Sequence, residues 1–162
     1  SYSSRNLMNP IVPLNLPKTK LSISQVGERL YVTCLNRKKQ VLLTPEEWVR
    51  QHLFAFFIDS LDYPKGLISM EKQIKYGSLD KRWDLAVFKK NQNCFLLVEC
   101  KGPHIKLSKR VLEQSLVYYK KLQSDYLVMS NGINHIILKK NPRDVSFDQI
   151  NTFPKYQSGV SL

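Results

Sequence analysis

The chain is poor in the residues that organise several common classes of small protein. Its 162 residues include three cysteines, Cys34, Cys94 and Cys100, and no two of them form a C-x-x-C pair. This spacing predicts neither a disulfide framework nor a zinc ribbon, and unpaired thiols favour the reducing cytoplasm. No apolar run approaches membrane-spanning length, so a membrane is not expected as a partner.

Acidic residues are also scarce. The sequence has 13 aspartates and glutamates against 25 lysines and arginines, which gives a formal net charge of +12. Such an excess favours a polyanionic partner, and nucleic acid comes before a membrane surface because no basic amphipathic helix stands out. The alternative is a basic globular protein without a polyanionic partner.

The length and the apolar content of 43% suit one domain with its own core. Residues 1–25 contain three prolines and no sustained period, which predicts an extended N-terminal arm. Residues 28–43 predict a small hairpin with a basic tip. The main core is expected over residues 44–140, and residues 141–162 are expected to form a C-terminal tail on the surface.

The clearest helix start in the sequence lies at Thr44. Thr44 suits the N-cap, Pro45 occupies the first helical position, and Glu47 stands where a capping box places its carboxylate. An apolar stripe at helical spacing follows and predicts a core-facing surface, formed by Val49, Leu53, Phe56, Phe57 and Leu61.

Alternating and apolar segments predict the remaining elements. Three strands are expected between Gly66 and Lys101, followed by a second helix from Ser108 to Leu122 and two short strands up to residue 140. The first three strands suit an antiparallel meander, and the second helix is long enough for a right-handed crossover to a parallel strand. The predicted fold is one α/β domain (α+β, with a mixed sheet) in which an αβββαβ core is flanked by helices.

The hairpin between Lys81 and Lys101 carries charges that buried strands do not need. A loop of two or four residues centred on Asn91-Gln92 would set Asp84 directly opposite Glu99. Lys101, two residues beyond Glu99, would then project to the same face. Because opposed carboxylates destabilise a sheet, a compensating cation is expected there, either Lys101 or a metal ion.

Hard-oxygen ligands in this arrangement suit a divalent cation. Asp84, Glu99 and the backbone carbonyl of Cys100 form a candidate Mg²⁺ site, which Mn²⁺ would also occupy. The ion would lower the pKa of a bound water and neutralise phosphodiester charge, while Lys101 would hold the water or stabilise the transition state. This hypothesis requires Asp84 and Glu99 to share a face. The alternative is a salt network without metal, which is costly inside apolar strands.

The pattern Asp84…Glu99-Cys100-Lys101 resembles the motif of the PD-(D/E)XK nuclease superfamily, whose core has the αβββαβ order. More narrowly, the chain resembles the N-terminal nuclease domain of the restriction subunit of type I restriction enzymes, over about Pro13 to Leu138. Trp83 departs from the superfamily pattern, in which proline is common at that position. The resemblance rests on five segments: Thr44–Gln51, Glu71–Phe88, Leu97–Pro103, Glu113–Tyr119 and Ser130–Gly132.

This resemblance implies further site residues. Gln114 and Tyr118 form a Gln-x-x-x-Tyr motif on one helix face, which would line the catalytic site; without the family, an ordinary amphipathic helix explains them equally well. Glu71 occupies the place of a family glutamate and is a further candidate metal ligand. Glu47 is a weaker candidate, because the capping box already explains it.

The resemblance also implies partners. DNA is the expected substrate, and other restriction–modification subunits or a second copy of the chain are further candidates. The restriction subunit carries a helicase motor for which 162 residues leave no room, so no nucleotide cofactor is expected within this chain.

Basic side chains near the motif are candidate DNA contacts. Lys109 and Arg110 fall in the first turn of the second helix, where the helix dipole disfavours cations unless phosphate or carboxylates lie nearby. The alternative is that these basic side chains are simply solvated and contact no phosphate. The residues predicted to contact DNA are Arg82, Lys106, Lys109 and Arg110, with further basic surface at residues 37–39 and 139–140.

The leading hypothesis is therefore a Mg²⁺-dependent DNA endonuclease. A non-cleaving DNA-binding or assembly module with the same fold is the alternative. A basic interaction domain that binds no metal is a third possibility, and divalent-metal titration separates it from the other two.

Overall fold

The computed structural model describes residues 9–114, 123–144 and 146–158, with the backbone alone at 72, 74, 76, 79 and 81. This part of the chain contains helices α1 (Pro45–Asp59) and α2 (Lys109–Glu113) and a 3₁₀ turn at Lys65–Leu67. Its strands are β1 (Ile23–Val26), β2 (Arg29–Thr33), β3 (Gln40–Leu42), β4 (Ile68–Tyr76), β5 (Leu79–Phe88), β6 (Cys94–Cys100), β7 (Tyr126–Ser130), β8 (His135–Lys140) and β9 (Phe147–Ile150).

Helix α1 begins as its sequence predicts. The Thr44 hydroxyl oxygen accepts a hydrogen bond from the backbone N–H of Glu47 at 3.1 Å, and Pro45 opens the first turn. Along the predicted apolar stripe, Val49, Leu53 and Phe57 are fully buried. Burial of this stripe fixes α1 against the sheet.

The main sheet has the order β4-β5-β6-β7-β8-β9. The first three strands form an antiparallel meander, β6 and β7 are parallel, and the last three strands are antiparallel to one another. Since parallel neighbours require a crossover, the segment containing α2 makes this connection. The αβββαβ core with a mixed sheet is confirmed.

Apolar side chains cover both faces of the main sheet. The face under α1 carries a cluster that includes Leu85, Val98 and Cys100, and the other face carries a cluster that includes Leu97 and Leu112 of α2. All seven residues of β6 are consequently buried. A strand buried on both faces has a continuous apolar sequence, and Glu99 is the charged exception in β6.

Two strands lie outside the elements that the sequence predicted. The N-terminal segment contributes β1, which pairs with β2 and extends the predicted β2–β3 hairpin into a three-stranded sheet. The C-terminal segment contributes β9, which pairs with β8 at the edge of the main sheet. Both strands are four residues long, with two polar residues between two apolar ones, so their sequences lack the apolar alternation that marks a strand.

The loop of the central hairpin is longer than predicted. It spans five residues, 89–93, and is closed by the Lys89 N–H, which donates to the Asn93 carbonyl at 2.8 Å. A bulge between Val87 and Phe88 absorbs the extra residue. The register beyond the bulge, with Leu85 opposite Val98, is the predicted one. Within the described ranges, no helix is long and apolar enough to cross a membrane.

Candidate active site

Strands β5 and β6 separate at Asp84. At the end of the hairpin away from its loop, the last pair of residues in the ladder between the two strands is Leu85 with Val98. One residue further, the Asp84 carboxylate accepts a hydrogen bond from the backbone N–H of Cys100 at 2.7 Å. A side chain thus replaces the backbone partner that a continued ladder would supply. This bond holds the Asp84 carboxylate in the gap between the two strands.

Glu99 and Lys101 form an ion pair at the end of β6. The Lys101 Nζ lies 3.0 Å from Glu99 Oε2. Glu99 is buried, with 7% of its surface exposed, whereas the Lys101 side chain keeps 36% of its surface in solvent. The expected proximity of these two side chains is confirmed. Lys101 compensates the buried charge of Glu99 and still faces water on one side.

The regular alternation of faces on which the prediction for Asp84 and Glu99 relied is broken in β5. Trp83 packs in the cluster under α2, whereas Leu85, two residues later, packs in the cluster under α1. The alternation of faces is therefore broken at Asp84. Continuing the ladder by one step does set Asp84 opposite Glu99. The Asp84 carboxylate itself lies against the backbone N–H of Cys100, between the two strands.

The Ser-Asn-Gly turn after β7 positions the segment around Lys101. The Ser130 carbonyl accepts the backbone N–H of Lys101 at 2.8 Å. The Asn131 side chain accepts hydrogen bonds from the N–H groups of two following residues, and its amide donates to the Ile105 carbonyl at 2.8 Å. A Cβ on Gly102 would lie 3.0 Å from the Cβ of Pro45, so this position requires glycine for the close approach to α1.

A third carboxylate lies in line with the first two. The pairs Met70–Leu85 and Lys72–Trp83 bracket Glu71 and set it opposite Asp84. Glu71 itself adopts a left-handed backbone conformation, with φ of +58°, inside β4. Non-glycine residues rarely occupy this region. The three acidic positions form a row across the first three strands of the main sheet.

A cleft of about 490 Å³ opens beside this row, between α1, the β2–β3 hairpin and strands β4 and β5. Both signs of charge line it. The acidic side chains are Glu46, Glu47, Glu71 and Asp84, and the basic ones are Arg37, Lys39, Arg50 and Arg82.

Three guanidinium groups converge on Glu71 in this cleft. Arg37 donates to Glu71 Oε2 at 2.5 Å, and Arg50 and Arg82 each place an NH1 atom 3.5 Å from Oε1. Burial acts to raise the pKa of Glu71. The hydrogen bond from Arg37 and the charges of Arg50, Arg37 and Arg82 outweigh it, so the pKa lies below its ordinary value.

Arg50 is the residue of this site that the sequence reasoning missed. Its guanidinium pairs with both carboxylate oxygens of Glu47, and Gln51 donates to Glu47 Oε2 at 2.8 Å. Burial acts to lower the pKa of Arg50. The hydrogen bond and charge of Glu47, followed by the charges of Glu71 and Asp84, raise it well above its ordinary value. Its spacing from Glu47, three residues along one helix, was the available sequence signal.

Glu47 is explained by this pair and not by a complete capping box. The predicted N-cap bond from its backbone to Thr44 is present. The predicted reciprocal use of its carboxylate is wrong, because Arg50 and Gln51 engage both oxygens. The Glu47 carboxylate forms a salt bridge and does not return to the cap because it is buried, with 7% of the residue exposed, and a buried carboxylate needs a cation.

The remaining predicted site residues lie on or near α2. The hydroxyl of Ser108 caps this helix by accepting the Val111 N–H at 3.3 Å. Gln114 is exposed just after the helix, and Tyr118 falls outside the described residues. The three basic side chains predicted near this helix to contact DNA are all exposed; they are Lys106, Lys109 and Arg110.

The donor set suits magnesium in kind. Asp84 and Glu99 offer carboxylate oxygens from opposed positions of neighbouring strands, and the backbone N–H of Cys100 donates to Asp84. Mg²⁺ in proteins commonly uses one or two carboxylates and keeps several waters. Among the described residues, no group of three or more histidine, cysteine, aspartate or glutamate side chains is arranged to hold a metal. Any ion here would therefore rely on a small protein ligand set.

The Cys100 thiol takes no part in such a set. It is 4% exposed and packs in the cluster under α1. Burial raises its pKa well above the ordinary value, and the negative charge of Asp84 adds to the shift. A thiol that stays protonated is a poor nucleophile and a poor ligand, so this residue belongs to the core.

Comparison with known proteins assigns the chain to a family. The family model described as the type I restriction enzyme R protein N terminus matches residues 45–154. The chain belongs to this family. The matched range of the R protein N-terminal family begins at the first residue of α1 and includes the whole row formed by Glu71, Asp84 and Glu99. No curated protein matches the chain.

Proposed function

We propose that this chain is a Mg²⁺-dependent DNA endonuclease domain of the PD-(D/E)XK type. One observation carries the proposal. Where β5 and β6 separate, Asp84 lies in the gap between the strands, and the next strand presents Glu99 with Lys101 at 3.0 Å. Membership in the R protein N-terminal family supports a role related to restriction.

Asp84, Glu99 and the carbonyl of Cys100 would hold the ion, with Glu71 as a further candidate and Glu47 as the weakest. A bound Mg²⁺ would supply an activated water and neutralise charge on the phosphodiester. An ion shared by both carboxylates would lie between Asp84 and Glu99, where the two strands diverge. The hydrogen bond from Cys100 limits the rotation of the Asp84 side chain.

Lys101 would hold the attacking water or stabilise the transition state through hydrogen bonds and its positive charge. An ammonium group has three N–H donors, and Glu99 engages one side of it while another side faces solvent. A phosphate oxygen or the attacking water would accept one of the remaining donors. Gln114 is exposed at the end of α2, where it would position DNA together with Tyr118.

Basic surface around the cleft would hold the DNA backbone. Arg82 lies at the cleft, and Lys106, Lys109 and Arg110 are exposed around the start of α2. Lys109 is 3.8 Å from Glu113, an exposed pair that a phosphate would displace at little cost. Other subunits of a restriction–modification assembly, or a second copy of the chain, are the proposed protein partners.

A second candidate is a DNA-binding or assembly module that does not cleave. The observation in its favour is the neutralisation of the cleft carboxylates by arginine: Glu47 is bound by Arg50, and Glu71 by three guanidinium groups. Carboxylates that already have internal cations need no metal.

A cleavage assay separates the two candidates. The full chain is incubated with supercoiled and with single-stranded DNA in Mg²⁺, Mn²⁺ or EDTA, and the products are resolved on gels. Metal-dependent cleavage that Asp84→Asn and Lys101→Ala both abolish would support the endonuclease. DNA binding without cleavage in either metal would reject it in favour of the binding module.

Asp80→Asn is the matched control. Asp80 lies on the same strand as Asp84 and is exposed. Its replacement by asparagine removes the same charge, so this variant should cleave like the wild type. Calorimetric titration with Mn²⁺ adds an independent readout. Binding that is lost in Asp84→Asn but kept in Asp80→Asn would locate the ion, whereas equal binding by both would place it elsewhere.

A further inference from the structure

We propose that Glu71 masks a phosphate-binding cradle formed by Arg37 and Arg82, and that a backbone phosphate of DNA takes its place. This inference rests on the proposed DNA-binding function and adds to it a built-in competitor. The observation behind it is the convergence of three guanidinium groups on one carboxylate.

The three arginines are not equivalent. Arg50 is buried, with 8% of its side chain exposed, and Glu47 already engages it through two hydrogen bonds. Arg37 and Arg82 have exposed fractions of 29% and 63%, and their ion pairs in the described part of the chain are with Glu71. Among the described residues, these two outer guanidinium groups therefore depend on Glu71 for their ion pairs.

The chemistry of the outer pair suits a phosphodiester. A guanidinium presents planar, forked N–H donors that match phosphate oxygens, and two such groups around one anion are typical of phosphate recognition. Lys39 lines the same cleft and is exposed. A phosphate in place of Glu71 would therefore meet a third cation at the mouth.

Part of the hold on Glu71 is weak enough for a competing anion to displace it. The Arg82–Glu71 contact is long, at 3.5 Å, and involves a largely exposed arginine, so solvent screens it. Glu71 also holds a left-handed backbone conformation that non-glycine residues rarely adopt. A phosphate that takes over the contacts with Arg37 and Arg82 would replace both ion pairs that these arginines make with Glu71.

Metal-free DNA binding tests the mask. The affinity of the full chain for a short mixed-sequence duplex is measured in EDTA by fluorescence anisotropy across a range of salt concentrations. Glu71→Gln should bind about fivefold to tenfold more tightly than the wild type at low salt. Its salt slope should steepen by about 0.9, because one more phosphate contact releases counterions.

Glu46→Gln is the matched control. Glu46 lines the same cleft and is exposed, and it makes no ion pair among the described residues. Removal of its charge changes the net charge by the same amount without freeing a guanidinium. The gain in DNA affinity should therefore stay below about twofold. Equal gains in Glu71→Gln and Glu46→Gln would overturn the proposal.

A double-mutant cycle adds a second criterion. Arg82→Gln should weaken binding clearly in the Glu71→Gln background and only slightly in the wild type, because Glu71 occupies the cradle there. Equal losses in both backgrounds would also overturn the proposal. If Glu71→Gln does not fold by circular dichroism, Glu71→Asp replaces it. The shorter aspartate side chain moves the carboxylate away from Arg37 and Arg82, so a smaller gain in DNA affinity is expected. An affinity equal to that of the wild type would count against the proposal.

The source of the phosphate is tested by competition. Inorganic phosphate at constant ionic strength should not displace DNA from Glu71→Gln at millimolar concentrations. Saturable displacement would assign the cradle to a free anion and reject the DNA assignment. Because all these measurements are made without metal, a failed cleavage assay leaves them valid. Conversely, if the wild type cleaves DNA but Glu71→Gln binds DNA no more tightly than the wild type, the masking role of Glu71 is rejected and the endonuclease proposal stands.

Discussion

The Asp84 carboxylate accepts the backbone N–H of Cys100 at 2.7 Å, across the point where β5 and β6 separate. This bond links the first acidic position of the motif to the strand that carries the other two motif residues. It also satisfies a buried backbone donor that the diverging ladder leaves behind. The acidic residue is therefore part of the structure of the hairpin as well as of the proposed site.

Replacement of Asp84 should separate these two roles. Asp84→Ala is expected to lower the free energy of unfolding by about 1–3 kcal/mol, because the Cys100 N–H loses its acceptor. Asp84→Asn keeps an acceptor oxygen and should cost clearly less, while still abolishing metal-dependent cleavage. Urea unfolding measures the difference. Equal destabilisation by both variants would mean that the hydrogen bond contributes little.

Removal of Arg50 should be among the most destabilising changes in the cleft. Arg50→Met leaves the buried Glu47 without its cation, and breaking such a pair typically costs about 3–5 kcal/mol. The double variant Glu47→Gln with Arg50→Met should recover a large part of this loss, because no uncompensated charge remains. Thermal or urea unfolding of the three variants checks the coupling. Additive losses would show that packing, and not charge, dominates this position.

Glu71 should contribute to the acid sensitivity of the fold. Its pKa in the folded chain lies below the ordinary value near 4.5. The folded state therefore binds fewer protons than the unfolded state between the two values. This contribution to stability is fully present above the unfolded pKa and is lost as the pH falls through the folded pKa.

Glu71→Gln should accordingly flatten the pH dependence of the free energy of unfolding below about pH 5. Urea titrations at several pH values measure it, with Glu46→Gln as the comparison. An unchanged slope in Glu71→Gln would indicate that the three guanidinium groups do not act on this carboxylate in solution.

Lys101 should matter more for cleavage than for folding. Lys101→Met leaves the buried Glu99 carboxylate without this cation, but the lysine is partly exposed. The free energy of unfolding should therefore fall by about 1–3 kcal/mol, less than for Arg50→Met. Cleavage should nevertheless be lost, while Mn²⁺ binding measured by calorimetry persists. Loss of the metal together with cleavage would instead make Lys101 a support for the ion site.

Much of the architecture was predictable because it depends on local patterns. The cap at Thr44 and the apolar spacing of α1 are properties of a short stretch of sequence, and the apolar runs of β6 and β7 mark strands covered on both faces. The register of Asp84 and Glu99 also followed from the hairpin, even though the loop length was wrong. A bulge next to Val87 compensated for the additional loop residue.

The sequence by itself determined the element order, the parallel crossover and the placement of three charges in apolar strands, since hydrophobic periodicity and chain connectivity fix these features. Only the tertiary structure decided where the charges point. The alternation of faces fails at Asp84, β4 turns Glu71 through a left-handed residue, and α1 brings Arg50 from a distant part of the chain. Such contacts depend on strand divergence and on packing between elements, which no local pattern records.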